Sequence, residues 1–220
     1  MMAAMSLLRR ALLCLFFCAV LLSAPGKAQA FQSYFASKEI RADSIDQFPK
    51  WMDVLSRYKA TAHQLDSICG EETYSPCRLK SWKDFLISEK DQPLDEQIAA
   101  INKFVNAYPY VEDIVNWGVA DYWETPYEFQ ERNGDCEDFA IAKFMSLRAL
   151  GLSNDLMRVM IVRDLNLGGI IHAILLVNVD DKRMILDNQI KQVMPAMQIY
   201  HYVPVYAINE EHWWQYFMPQ

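Results

Sequence analysis

Glycine is scarce in this chain, 7 residues of 220. That excludes collagen-like and Gly-rich repeat architectures and leaves little material for flexible linkers. A basic excess is also missing. Lysine and arginine number 21 against 28 aspartates and glutamates, a formal charge of −7, so the chain lacks the electrostatic footprint of a nucleic-acid-binding protein. Histidine is rare, with 4 residues, and no His-x-x-x-His pattern or paired cysteine ligands support a metal hydrolase. No internal repeat, low-complexity segment or interior domain boundary is visible. Apolar residues are plentiful, at 52% with 22% charged, which allows a sizeable core and excludes wholesale disorder.

The first thirty residues read as a secretory signal peptide. Arg9 and Arg10 supply a positive start, Ala11 to Ala24 is an apolar run of fourteen, and Ala28-Gln29-Ala30 is a small-x-small cleavage site. The run is shorter than the roughly 20 residues of a membrane span. An uncleaved anchor is the competing reading. Residues 31–220 are then expected to form a single exported domain, with 18 basic and 28 acidic residues. Three cysteines remain in it: Cys69, Cys77 and Cys136. Cys69 and Cys77 flank a short polar segment and can pair in an oxidising compartment, two free thiols being the alternative. Cys136 is left over, and an unpaired cysteine in an exported protein is buried or used.

Helical spacing first appears around Trp51–Ala62 and again over 95–108, where apolar residues fall at 98, 101, 104, 105 and 108 and Pro109 follows. Residues 110–130 are aromatic-rich, and Thr125-Pro126 is a helix start. Asn133-Gly134 is a turn signal, Asp135 a helix N-cap, and Gly151 a C′ residue, so Cys136 should open a helix of about four turns. Beyond Gly151 the period changes. Met157–Arg163, Ile170–Val179, Arg183–Asp187 and Tyr202–Ile208 are strand-like, with Pro204 marking an edge or an irregularity. The expected fold is α+β, with N-terminal helices and an antiparallel sheet packed on the Cys136 helix.

A thiol at a helix N-terminus is favoured as thiolate by the backbone N–H groups and the dipole. Asp135, Glu137 and Asp138 oppose this by repulsion. A bound cation removes the conflict, and clustered hard oxygen ligands suit Ca2+, whereas a capped helix start with solvated acids needs no metal. A cysteine nucleophile also needs a base and an orienter for that base. His172 opens a strongly apolar strand, and Asp187 ends the next. If the hairpin turns at Val179–Lys182, position 174 opposes 187 and His172 is diagonal to Asp187, within side-chain reach. A tighter turn at Asp181-Lys182 would separate them.

The run Gly134-Asp135-Cys136-Glu137-Asp138-Phe139-Ala140, followed by a strand with His172 and then Leu186-Asp187-Asn188, resembles the bacterial transglutaminase-like cysteine peptidases of the LapG type. The segment Asp121 to Phe129, Phe104-Val105-Asn106 and the tail Pro204 to Asn209 are similar to the same family. The resemblance covers roughly residues 45–217. It implies a papain-like, transglutaminase-type core in which Cys136 is the nucleophile, His172 the base and Asp187 the orienter of the imidazole. It further implies a periplasmic, calcium-dependent endopeptidase that clips a large outer-membrane-retained adhesin near its N-terminus and is held in check by an inner-membrane receptor for cyclic di-GMP. The family's calcium ligands map to Asp135 and Glu137, with Asp138 beside them and further ligands expected near Asn154-Asp155. Two other functions stay open: a transglutaminase-like acyl transferase using the same triad, and a catalytically silent binding module of the same fold.

Overall fold

The computed structural model describes residues 34–61 and 78–218. The expected signal peptide and the Cys69–Cys77 pair lie outside these residues. The strands are β1 (Lys38–Ala42), β2 (Met157–Asp164), β3 (Ile170–Val179), β4 (Lys182–Leu186), β5 (Met194–Pro195), β6 (Tyr202–Ile208) and β7 (Trp213–Phe217). They form one antiparallel sheet in the order β1-β7-β6-β2-β3-β4-β5. Successive side chains of a strand point to opposite faces. Ala173, Leu175 and Val177 accordingly enter the larger core cluster beneath the helices, while Ile174 and Leu176 join a second cluster with Met160, Val162, Ile185 and Trp214. Both faces are covered, which is why β2 and β3 read as near-continuous apolar runs.

Six α-helices accompany the sheet among the described residues: α1 (Pro49–Thr61), α2 (Arg78–Glu89), α3 (Leu94–Val105), α4 (Asp113–Asn116), α5 (Pro126–Arg132) and α6 (Cys136–Ala149). Helix α6 is the hub. It packs on β3 and β2 from one side and on α3 and α5 from the other, and every residue from Glu137 to Leu147 is buried. A helix buried all round carries no apolar stripe. The indole N–H of Trp82 on α2 donates to Ser146 Oγ at 2.9 Å and ties α2 to this hub. No described helix is long and apolar enough to cross a membrane.

The ends of α6 follow from its flanks. Gly151 takes φ 98°. Its N–H donates to Arg148 O at 3.0 Å, and Leu152 N–H donates to Leu147 O at 3.0 Å, the paired bonds of a Schellman stop. Helix α3 ends at Val105, three residues earlier than its apolar spacing suggests: Asn106 still donates to Asn102 O, but Ala107 and Tyr108 bond to Phe104 O and Val105 O in i→i−3 turns ahead of Pro109. Pro204 marks an irregularity and not an edge. Strand β6 lies between β7 and β2, and its pairing skips from Ile161↔Tyr206 to Val162↔Pro204, so Val205 is bulged. Helix α2 and strands β1, β5 and β7 have no counterpart in the sequence reading.

Candidate active site

The hairpin between β3 and β4 turns at the wider position. Asn178 opposes Arg183 and Val179 opposes Lys182. Asp180 and Asp181 take φ 49° and 62°, both left-handed, as a tight two-residue hairpin requires. With that register Asp187 leaves β4 beside the start of β3. His172 Nε2 lies 2.9 Å from Asp187 Oδ1, and both side chains are buried. The backbone N–H of Gln189 donates to the same oxygen at 2.9 Å, and Tyr202 Oη donates to Oδ2 at 2.5 Å. Asn106 Nδ2 donates to the Asp187 carbonyl at 2.7 Å and fixes the main chain there. Burial pulls the Asp187 carboxyl up, but hydrogen bonds from His172, Tyr202 and Gln189 outweigh it and leave the group below its ordinary pKa. An ionised Asp187 holding Nε2 leaves Nδ1 of His172 as the nitrogen available to take a proton. Gln189 Nε2 lies 3.4 Å from that nitrogen.

Cys136 stands at the first position of α6, half-buried, and the backbone N–H of Ala173, next to His172, faces its sulfur. The packing of α6 on β3 therefore brings the thiol to the strand that carries the imidazole. The geometry of this helix start depends on Asp138. Its Oδ2 accepts the Asp135 N–H at 3.0 Å and its Oδ1 the Glu124 N–H at 2.7 Å. The carboxylate thus staples the segment before α5 to the start of α6. Gly134 makes room for it, since a Cβ there would sit 2.4 Å from Asp138 Oδ2.

The acids around the thiol are more numerous than the sequence spacing reveals. Asp135 and Glu137 group with Cys136. Asp113 and Asp121 group with Glu137, and Asp113 groups again with Asp135 and Asp138, with candidate ligand atoms within 4.8 Å of one another in each set. Asp113 is buried on α4, where its Oδ2 accepts the Tyr122 N–H at 2.5 Å. Its Oδ1, together with Asp135 Oδ1 and Glu124 Oε2, is buried without a hydrogen-bond partner. Burial, then the hydrogen bond and the charge of Glu137, pushes Asp135 up to about 8. Burial above all pushes Glu124 up to about 8. The Cys136 thiol is raised by burial and then by Glu137 and Asp135. Left uncompensated, these charges hold the sulfur protonated. Orphaned carboxylate oxygens converging on one place are the donor set of a hard divalent cation. Asp155 lies elsewhere, grouped with Glu211 and His212, while Asn154 bonds to Asn209 and Glu210.

Asp113 carries no sequence signal, because it sits in an aromatic stretch with no ligand spacing, and Asp121 belongs to a segment that resembles the family, without a role. Tyr202 and Gln189 were equally silent. Asn106 belongs to a segment that resembled the family, without a role.

The sequence matches the family described as bacterial transglutaminase-like cysteine proteinase over residues 61–220. Among solved structures the chain is similar to Legionella pneumophila LapG, with 29% identity, a TM-score of 0.59, and coverage of 79% of this chain and 90% of that one. It is also similar to the calcium-bound form of Legionella pneumophila LapG, at 27% identity and a TM-score of 0.58, covering 74% and 86% of the two chains. The EGTA-treated form matches at 29% and 0.59, covering 79% and 87%. No curated protein matches. The core helix with a cysteine at its start, packed on an antiparallel sheet, is thus a transglutaminase-like α+β fold, and the chain belongs to the bacterial transglutaminase-like cysteine proteinase family.

Proposed function

We propose that the protein is a calcium-dependent cysteine endopeptidase of the periplasm, with Cys136 as nucleophile, His172 as base and then acid, and Asp187 as the orienter of the imidazole. The observation that carries this reading is the buried His172–Asp187 pair on the strand that faces the Cys136 thiol. Cys136 passes its proton to His172 Nδ1 and attacks the scissile carbonyl. The first-turn N–H groups of α6, which have no partner within the helix, suit the oxyanion that forms. His172 returns the proton to the leaving amine, and water then hydrolyses the thioester.

Asp135 and Glu137, with Asp113 and Asp121 facing them, would hold Ca2+. The fit rests on the orphaned Asp113 and Asp135 oxygens and on an all-oxygen donor set. A cation there neutralises the carboxylates that otherwise keep the neighbouring thiol protonated. A relative solved in calcium-bound and EGTA-treated forms supports this choice of metal. Asp138 serves the same corner mainly as a staple, since both its oxygens accept backbone N–H bonds.

The substrate in this reading is the N-terminal region of a large adhesin retained at the outer membrane, whose cleavage releases it and ends attachment. An inner-membrane cyclic di-GMP receptor would be the inhibitory partner. The test is digestion of an adhesin N-terminal fragment by residues 31–220 with calcium, with chelator, with Cys136→Ala, and with Asp135→Ala plus Glu137→Ala. Cleavage is expected only for the unmodified protein in calcium. Cleavage by Cys136→Ala would remove the triad from the mechanism. Full activity of the double variant in chelator would remove the metal. An amide exchange onto an added amine, without cleavage, would make the protein an acyl transferase instead.

A further inference from the structure

Tyr202 is buried at the start of β6, and its hydroxyl donates to Asp187 Oδ2. The other oxygen of that carboxylate, Oδ1, meets His172 Nε2 and the Gln189 N–H. The last torsion of an aspartate is soft, so a carboxylate held through one oxygen can turn and lose its aim. A donor on each oxygen fixes the plane of the group, and with it the direction of the bond to the imidazole. Sheet register supplies the second donor. Val162 opposes His172 and Asp164 opposes Tyr202, and alternate residues of β2 share a face, so imidazole and phenol project to the same side. Their ring centroids lie 5.8 Å apart. Burial and the Asp187 charge push the phenol above its ordinary pKa, so the hydroxyl keeps its proton and stays a donor.

A segment from the other end of the chain packs on the same phenol. Phe35 meets the Tyr202 ring edge-to-face, with centroids 6.1 Å apart. It belongs to the short turn Tyr34–Ala36 ahead of β1, where Phe35 and Ala36 take φ 51° and 58°. These left-handed angles are costly for residues with side chains and persist only where the surroundings enforce them. The anchors are on the flanks. Ser37 N–H donates back to Tyr34 O at 3.0 Å, the Arg158 and Arg183 guanidinium groups lie over the buried Tyr34 ring at 5.4 and 4.8 Å, and Arg158 pairs with Glu39 of β1 at 2.7 Å. We propose that Tyr202 is a positioning residue for the triad and that Phe35 holds it in place: the hydroxyl fixes the Asp187 carboxylate so that Oδ1 aims at His172, and the N-terminal turn keeps the phenol from swinging away. The inference rests on reading Cys136, His172 and Asp187 as a triad.

The test needs no peptide substrate. Alkylation of Cys136 by iodoacetamide is followed on the Cys136 peptide by mass spectrometry, in calcium at pH 7, with His172→Ala as the reference for a lost base. Tyr202→Phe keeps the ring and removes the donor. It should slow alkylation about tenfold, the low end of what a hydrogen bond to a charged group contributes. Phe35→Ala should slow it about threefold, the size of one edge-to-face ring contact, and Phe35→Tyr should restore the parent rate. If Phe35 acts through the hydroxyl, Phe35→Ala adds nothing in the Tyr202→Phe background. The low-field proton resonance of the imidazole N–H held by Asp187, assigned by its loss in His172→Ala, should shift in Tyr202→Phe, which a merely structural tyrosine would not cause. A slow His172→Ala beside a Tyr202→Phe of parental rate and unshifted resonance overturns the proposal and leaves the triad standing. A His172→Ala of parental rate sinks the triad and the proposal together. An equal effect of Phe35→Ala in both backgrounds assigns the turn to the fold and overturns its part. If Tyr202→Phe does not fold, the Phe35 pair decides: a parental rate in Phe35→Ala overturns the proposal, and slowing reversed by Phe35→Tyr supports it.

Discussion

At the scale of single residues, Gly134 and Asp138 show how narrow the catalytic corner is. Gly134 is needed for space and not for an unusual backbone angle. Any side chain there meets the Asp138 carboxylate, whose two oxygens hold the N–H groups of Glu124 and Asp135. Gly134→Ala is expected to cost about 1–3 kcal/mol by overpacking and to displace the start of α6. Equilibrium urea denaturation measures the first effect and the alkylation rate of Cys136 the second. A variant as stable as the parent would show that Asp138 can move freely, and its stapling role would fall.

At the scale of elements, α6 is held at one end by Asp138 and at the other by a Schellman stop. A Cβ on Gly151 meets nothing within 4 Å, so the only penalty for Gly151→Ala is the left-handed backbone at φ 98°. That penalty is about 1–2 kcal/mol for a residue with a side chain. Urea denaturation should register it without change in the thiol's reactivity, because the nucleophile lies fifteen residues away at the opposite end. A much larger loss would mean that the stop also sets how α6 packs on β2 and β3.

At the scale of the whole molecule, the acidic cluster links metal, pH and stability. Asp135 and Glu124 titrate near 8 in the fold, well above the ordinary carboxyl value. A raised acid binds its proton in the folded state where the unfolded chain has lost it, so its contribution to stability falls as pH rises from about 4 to about 8. In chelator the melting temperature is therefore expected to decline across that window. Lys143 acts in the opposite sense. Its lowered pKa penalises the fold fully below about 7 and progressively less as pH rises toward the ordinary lysine value. With calcium at a hundred times its dissociation constant, the fold should gain about 2.7 kcal/mol and the decline should flatten. Thermal melts at pH 5, 6, 7 and 8 with calcium and with chelator check both expectations. Identical curves in the two conditions would argue against any cation at Asp113, Asp135 and Glu137.

Local chemistry was legible in the sequence alone. The turn at Asn133-Gly134, the cap at Asp135, the stop at Gly151 and the apolar runs of β2 and β3 are short-range properties, fixed by backbone sterics and by burial on both faces of a sheet. The tight run from Gly134 to Asp138 also marked the site. The sequence could not choose between two hairpin registers, and only the left-handed pair Asp180-Asp181 set Asp187 beside His172. Nor could it gather Asp113 and Asp121 onto the cysteine, or bring Tyr202 and Asn106 to Asp187. Those contacts join residues far apart in the chain, and their energy comes from burying groups together, a property of tertiary packing with no periodic trace in the sequence. Lys143 is the sharpest case. Nothing in the sequence singles it out, and only the packing of α6 on every side buries it.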